Sequence, residues 1–419
     1  MTKKLLIPLL CAVTVLAGGC RFSLDFDGMD DYFVPTEDTS EQEQKEEPVV
    51  AFSDSTAQSV PGESIRRVDV EALREYQSDY AEYNSYTYFS GLTDQEKLVY
   101  RIFEYALDHG FPRIYIDQKL LDGNAYAPRD ILRFLSLDSP MLEQNLVREF
   151  SDGNLELTDA KGRTRSVPVG RILVRNFVAE NLELKKQAVE KAEQILREVP
   201  ENLSNTEKAQ YIYDYLGTHV TYSSTDEREQ NEIVYLYEAL CVGTTNCDGF
   251  ANAFSLLCNM SGIACCEKVY LPEEEKAAGH TWNAVWLDGL WYNVDGTGAR
   301  MDVESECELR RIERIHFGFG DDLQHHEPMY EALAPDCVKS MVPVSCALTS
   351  EKDAGLVKTI AQAYRKSERK YVIITLEEGT LSKQTKTKIA NELGFGISVS
   401  NYSTDSGRNV YYIFYNGKG

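Results

Sequence analysis

Apolar residues recur at helical spacing behind Cys247, at Phe250, Ala253, Phe254 and Leu257, and Ser261-Gly262 ends the run. The pattern predicts a helix with the cysteine at or near its amino terminus. Downstream the pattern becomes that of strands. Gly279 to Leu287 and Leu290 to Asp295 are rich in Trp, Tyr and Val, and Asp288-Gly289 between them is a strong hairpin signal. With a two-residue loop, Leu287 faces Leu290, Trp286 faces Trp291 and Trp282 faces Asp295, so His280 and Asp295 become diagonal neighbours on one face. One further loop residue would put them on opposite faces.

Elsewhere the pattern predicts an α+β chain. Folded structure is expected from about Ser64, with a helical segment carrying Tyr76, Tyr80, Tyr83, Tyr86 and Tyr88, then a helix from Thr93 through Leu107. Such tyrosines pack on neighbouring helices or bind glycan or peptide, and packing is the expected role. Arg129 to Leu137 reads as helix, and Leu146 to Val174 as strands around turns at Ser151-Asp152-Gly153 and Asp159 to Gly162. Leu182 to Val199 is an amphipathic helix ending before Pro200. Glu306 to Pro335 is irregular and holds His316, His325 and His326 near Asp321 and Asp322; lacking ligand spacing, it is expected to be a polar loop rather than a metal site. From Pro343, two helices (Lys352 to Lys366, Leu381 to Leu393) and three strands (Tyr371 to Leu376, Gly396 to Tyr402, Asn409 to Tyr415) form a small α/β appendage without chemistry of its own.

The amino-terminal residues change the picture of where the chain works. Lys3-Lys4, the apolar run Leu5 to Leu16 and Leu16-Ala-Gly-Gly-Cys20 form a signal peptide too short to span a bilayer comfortably. Its end resembles a bacterial lipobox, which implies that Cys20 is lipid-modified and becomes the mature amino terminus. Leu16 lies four residues before that cysteine instead of three, and ordinary secretion with Cys20 unmodified is the alternative. Asp25 to Asp54 is dense in Asp and Glu with Lys45 its one basic residue, a composition that reads as a solvated spacer. The expected organisation is signal peptide 1–20, acidic tether 21–63, α+β region 64–200, the core with the cysteine, histidine and aspartate 201–342, and appendage 343–419. A net charge of -24 with no Lys/Arg stripe excludes nucleic acid as partner. Beyond Cys11, Cys20 and Cys247, seven cysteines remain, an odd number for a secreted chain. Cys258 reads as helix core, Cys265-Cys266 as an unfavourable vicinal pair and Cys241 as buried, although a Cys241–Cys247 bridge would be an off switch.

Cys247, His280 and Asp295 are a candidate catalytic set. Unpaired N–H groups and the dipole at a helix amino terminus favour thiolate and can hold an oxyanion. At Asn246-Cys247-Asp248-Gly249-Phe250-Ala251, His280-Thr-Trp-Asn-Ala-Val and Asp288-Gly-Leu-Trp-Tyr-Asn-Val-Asp295 the chain resembles the transglutaminase-like superfamily. The resemblance extends upstream through Tyr211 to Tyr222, from about Glu201 to Thr297, roughly a quarter of the chain. Asn246 departs from the small or apolar residue of many bacterial relatives. The resemblance implies a papain-like core, with the Cys helix packed on an antiparallel sheet bearing His and Asp. It also implies that Cys247 attacks an amide carbonyl, that His280 relays the proton to the leaving amine and that Asp295 orients the imidazolium. The oxyanion would be held by the Cys247 N–H and an upstream donor such as Tyr235 or Tyr237. No cofactor or metal enters this chemistry. The expectation is a lipid-anchored, extracytoplasmic thiol acyltransferase or peptidase acting on protein or peptide amides. A catalytically silent peptide- or cell-wall-binding protein is the alternative, and the sequence is silent on oligomeric state.

Overall fold

The computed structural model describes residues 47–54, 65–142, 147–159, 161–174, 179–223, 234–272, 279–300, 314–324, 326–341, 344–367, 371–404 and 407–415. The chain divides into Met1–Glu47 and Pro48–Gly419. Residues 1–46, which hold the expected signal peptide, Cys20 and most of the acidic stretch, lie outside the described residues. Among the described residues no helix is long and apolar enough to cross a membrane.

The acidic stretch ends sooner than its composition implies. Val49 to Phe52 is an uncharged apolar run, and strand alternation sends Val50 and Phe52 into one buried cluster and Val49 and Ala51 into another. Val50–Ser53 is therefore a strand buried at every position, inside the segment 21–63 expected to be a tether. It lies between Ile65–Val68 and Arg113–Asp117 in an antiparallel sheet that continues through Thr164–Val174 to Val147–Thr158. Ser151-Asp152-Gly153 is not a turn but lies within the last strand, opposite Arg171, Gly170 and Val169. Gly153 sits in the strand beside the movable Arg171 guanidinium and takes no part in a reversal. The reversal falls at Asp159 to Gly162, as expected, where Asp159 accepts from the backbone of Lys161 and Arg163.

The tyrosine-rich segment is several short pieces: Val70–Arg74, a 3-10 turn at Ala81–Tyr83, and Thr87–Ser90. Tyr86, in the left-handed region at φ 53°, interrupts it. The tyrosines do pack, with Tyr88 stacked on Phe134 at 5.7 Å and Tyr76 edge-on to Tyr105 at 5.0 Å. Helix Asp94–Asp108 opens with a Thr93–Glu96 capping box, and Pro128–Asp138 has its proline in the first turn.

The second sheet is antiparallel in the order Phe317–Phe319, Leu290–Val294, His280–Leu287, Cys265–Tyr270. Cys265, Val285, Leu287, Tyr292 and Val294 share a cluster with the helices Cys247–Met260, Ala179–Arg197 and Asn205–His219. Cys266, Ala284 and Trp291 join the cluster of the amino-terminal helices instead. Ala179–Arg197 thus contributes Ala188, Ala192 and Ile195 to the core of the cysteine helix, not only to the region 64–200. Phe317–Phe319 forms a strand in the stretch read as irregular, because Phe-Gly-Phe is too short for a periodic signal.

The carboxy-terminal sheet runs Cys346–Ser350, Tyr371–Glu378, Asn409–Tyr415, Ile397–Ser403, with its first pair parallel and the others antiparallel. Helices Leu356–Lys366 and Lys383–Leu393 cover one face. The other face places Tyr371, Ile373, Val410, Tyr412 and Phe414 against Ile315, Phe319 and Leu323. That contact bears on the segment immediately following the hairpin.

Candidate active site

Cys247 is the first residue of its helix. Asn246, the residue that departs from the family pattern, is the cap: its side-chain oxygen accepts from Gly249 N at 3.2 Å. Gly249 is required by space, since a Cβ there would collide with the Thr245 side chain. The helix is tied to the histidine strand by side chains. Thr281 Oγ1 donates to Asp248 Oδ1 at 2.5 Å, and Asn283 Nδ2 donates to Ala251 O at 3.0 Å and Ser255 Oγ at 2.8 Å.

Asp288 and Gly289 both have positive φ, 49° and 88°, as a two-residue hairpin turn requires. Leu287 pairs with Leu290, Trp286 with Trp291 and Asn283 with Val294, so the strand ends with Asp295 beside Trp282. His280 Nε2 and Asp295 Oδ2 are 2.9 Å apart. Nδ1 is the ring nitrogen that this bond leaves over, and the Cys247 thiol is among the groups that favour charge on the ring. Asp295 Oδ1 accepts from Thr297 N at 3.0 Å and Thr297 Oγ1 at 2.6 Å, so both carboxylate oxygens are held.

Side chains here are about one-fifth exposed, 20% for His280 and 19% for Asp295. Burial works against charge on the imidazole, but the Asp295 carboxylate and the Cys247 thiol outweigh it and lift His280 from 6.5 to about 10. Burial would likewise raise Asp295. The His280 charge and the hydrogen bonds from His280 and Thr297, with help from His316, hold it well below the usual carboxylate range. The arrangement is thus a carboxylate–imidazolium pair beside a thiol at a helix amino terminus, suited to nucleophilic attack on a carbonyl and return of a proton to a leaving group.

Two residues at the site, His316 and Tyr222, were not assigned to it from the sequence. The backbone N–H of Asp295 donates to His316 O at 2.9 Å, and the His316 ring fills the space where a side chain on Gly298 would fall. Tyr222 is 46% exposed; partial burial pushes its hydroxyl up, and the charges of Cys247, Asp248 and Asp295 add to the effect. It stands beside the thiol because Thr221–Tyr222 pairs in parallel with Thr244–Thr245, just before Asn246. Tyr235 and Tyr237, the expected second oxyanion donors, lie in a single helical turn before the π-helical turn Glu238–Val242.

Cys241, Cys247, Cys258, Cys265, Cys266, Cys337 and Cys346 are free thiols, and Cys307 lies outside the described residues. Cys241 is exposed, contrary to expectation, because the π-helical turn directs Ala239 and Leu240 inward instead. Among the described residues no three His, Cys, Asp or Glu side chains converge to hold a metal ion. His325 is outside them.

Residues 189–296 match the family model of the transglutaminase-like superfamily. The domain is transglutaminase-like, and the mixture of helices with antiparallel sheets is that of an α+β papain-like core. The kyphoscoliosis peptidase of Mus musculus is 30% identical over 107 residues, and that of Homo sapiens 28% over 107 residues. Each match covers 22% of this chain and 16% of the relative, so the chain spans about a sixth of those proteins. A crystal structure of a TGase is similar over 36% of this chain and 44% of its own, with 16% identity and a TM-score of 0.23.

Proposed function

We propose that this chain is a thiol enzyme that opens protein or peptide amides through a thioester on Cys247. The observation that carries the reading is the 2.9 Å pairing of His280 with Asp295 on the sheet that packs against the capped helix opening with Cys247. Sγ of Cys247 attacks the amide carbonyl, the C–N bond breaks, and the imidazolium of His280 gives its proton to the departing amine. Asp295 keeps the ring oriented and charged. The acyl group then leaves to water or to a second amine. Hydrolysis is the favoured fate, because a site in contact with water meets that acceptor in great excess and because the mouse and human relatives of this stretch bear the name peptidase. Export and lipid attachment through Cys20 complete the proposal, with the enzyme on the outer face of a bacterial membrane.

The test is covalent trapping. An activated acyl donor or a chloroacetamide peptide should mark Cys247 ahead of the other thiols, and marking should slow at least ~10-fold in His280→Ala. Cys247→Ala should reduce amide turnover by ~10³-fold or more. Unchanged labelling in His280→Ala, or peptide binding as the sole activity with Cys247 dispensable, would establish a binding protein instead. Radiolabelled fatty acid incorporation lost in Cys20→Ala tests the anchor.

A further inference from the structure

Beside the proposed catalytic residues, a cavity of about 200 Å³ opens between the second sheet and the carboxy-terminal module. Its lining includes Asp322, Gln324, His326, Glu331 and Arg408. His326 joins it to the catalytic residues: its ring stacks on Tyr270 at 4.2 Å and lies 5.9 Å from the His280 ring, centroid to centroid. The family match ends at residue 296, so every residue of this lining except Lys268 lies outside it.

Five of the lining residues are acidic and two are basic. Each basic residue already has a carboxylate partner, and Arg408 Nε is left without a hydrogen-bond partner among the described residues. Lys268 Nζ, 1% exposed, reaches Asn293 Oδ1 at 3.2 Å and Asp321 Oδ1 at 3.1 Å, and Arg408 pairs with Glu377 at 3.2 Å. Asp321 is engaged too, accepting in addition from Asn293 Nδ2 and Cys337 N. The carboxyl of Asp322 is pushed up, by burial first and by Asp321 as well, against the pull of Arg408, so a further positive charge near it is welcome. Independent of charge, Gln324 is only 7% exposed, lines the cavity, and its Oε1 has no hydrogen-bond partner among the described residues. A buried amide oxygen left unpaired is costly, and a donor entering the cavity would relieve that cost.

From this conjunction we infer that the cavity is a binding subsite for a cationic N–H donor, the ammonium end of a lysine side chain in the polypeptide substrate. The ammonium suits both features: its charge complements the carboxylates and its hydrogens suit Gln324 Oε1. A volume of about 200 Å³ is below the usual range for whole small-molecule ligands and fits the end of one long side chain. The appendage thereby acquires a role in selecting substrate, since Thr404 and Arg408 form one wall.

The inference rests on the peptide-amide reading for its substrate, but its test does not depend on turnover. The 419-residue chain carrying Cys247→Ala is titrated with Nα-acetyl-lysine methylamide and with the isosteric norleucine compound, following the Gln324 side-chain amide and the His326 ring by NMR. The lysine probe should shift both signals and bind at least ~10-fold more tightly than norleucine, and Asp322→Asn with Glu331→Gln should remove the preference. Equal binding of the two probes, tighter binding of norleucine, or shifts that spare Gln324 and His326 would overturn the subsite. The norleucine comparison uses the unaltered cavity, so it stands even where a cavity variant fails to fold. Failure of Cys247 labelling in the wild-type chain, by contrast, would overturn the enzyme and leave the cavity result intact.

Discussion

Two carboxylates in this molecule, the buried Asp138 and the half-buried Asp295, are treated in opposite ways. Asp295 meets a histidine and sits well below the ordinary carboxylate range, whereas Asp138, at the end of helix Pro128–Asp138, is pushed up to about 6. Both are fully bonded. Asp138 accepts from Ser85 Oγ at 2.7 Å, Tyr88 N and Phe89 N at 3.0 Å, and Tyr100 Oη at 3.1 Å. Burial dominates at Asp138, and four neutral donors offset only part of the desolvation; at Asp295 the imidazolium supplies the missing counter-charge. The partners of each carboxylate therefore define its use. Asp138 knots the segment from Ser85 to Phe89 to a helix end, while Asp295 keeps a neighbouring ring charged.

The largest effect should come from removing that counter-charge. Asp295→Asn should cut amide turnover by ~10²–10⁴-fold and lower the titration of the His280 ring from about 10, read by NMR of the ring protons. An unmoved His280 titration would show that Asp295 is no different in kind from Asp138. Next comes the knot itself. Asp138→Ala leaves two backbone N–H groups and two hydroxyls without their acceptor and should cost about 3 kcal/mol or more in urea unfolding, with little change in turnover per folded molecule.

The pH dependence of stability separates the two sites by sign. Asp138 holds its proton longer in the folded chain, so between about pH 4 and 6 the unfolded chain ionises first and stability falls by about 2–3 kcal/mol as pH rises. Asp295 does the reverse: its contribution is present above about pH 4 and is lost as pH falls. His280 reports the same pairing from the other side, contributing fully below about 6.5 and fading as pH rises through about 10. Urea midpoints measured from pH 3 to 10 should lose the falling slope in Asp138→Asn and lose both the acid rise and the alkaline fall in Asp295→Asn. The smallest effect belongs to the cap: Asn246→Ala should cost about 1 kcal/mol of stability and slow Cys247 alkylation only a few-fold.

The hairpin and the cysteine helix were legible because their signals are local. Asp288-Gly289 specifies its turn by its own backbone preferences, and that turn alone sets Trp282 beside Asp295. The same local logic located the helix opened by Thr93, the helix read at Arg129 to Leu137 and the carboxy-terminal strand Asn409–Tyr415. Where averages replaced local signals the reading failed. Val49 to Phe52 vanished in the acid around it, and Ser151-Asp152-Gly153 looked like a turn because its pairing with Val169, Gly170 and Arg171 comes from the neighbouring strand.

Cys247, His280, Asp295 and the elements that carry them follow from the order of residues alone, since periodicity, capping and turn chemistry act over a few positions. Their surroundings were set by tertiary packing. It brought His316 and Tyr222 to the site, gave Asp138 its four donors, and set Thr404 and Arg408 of the carboxy-terminal module on the wall of the cavity next to His326. Those placements depend on which buried faces meet, and the burial of Ile315, Phe319 and Leu323 against Tyr371, Ile373 and Phe414 is settled by packing among segments far apart in the chain.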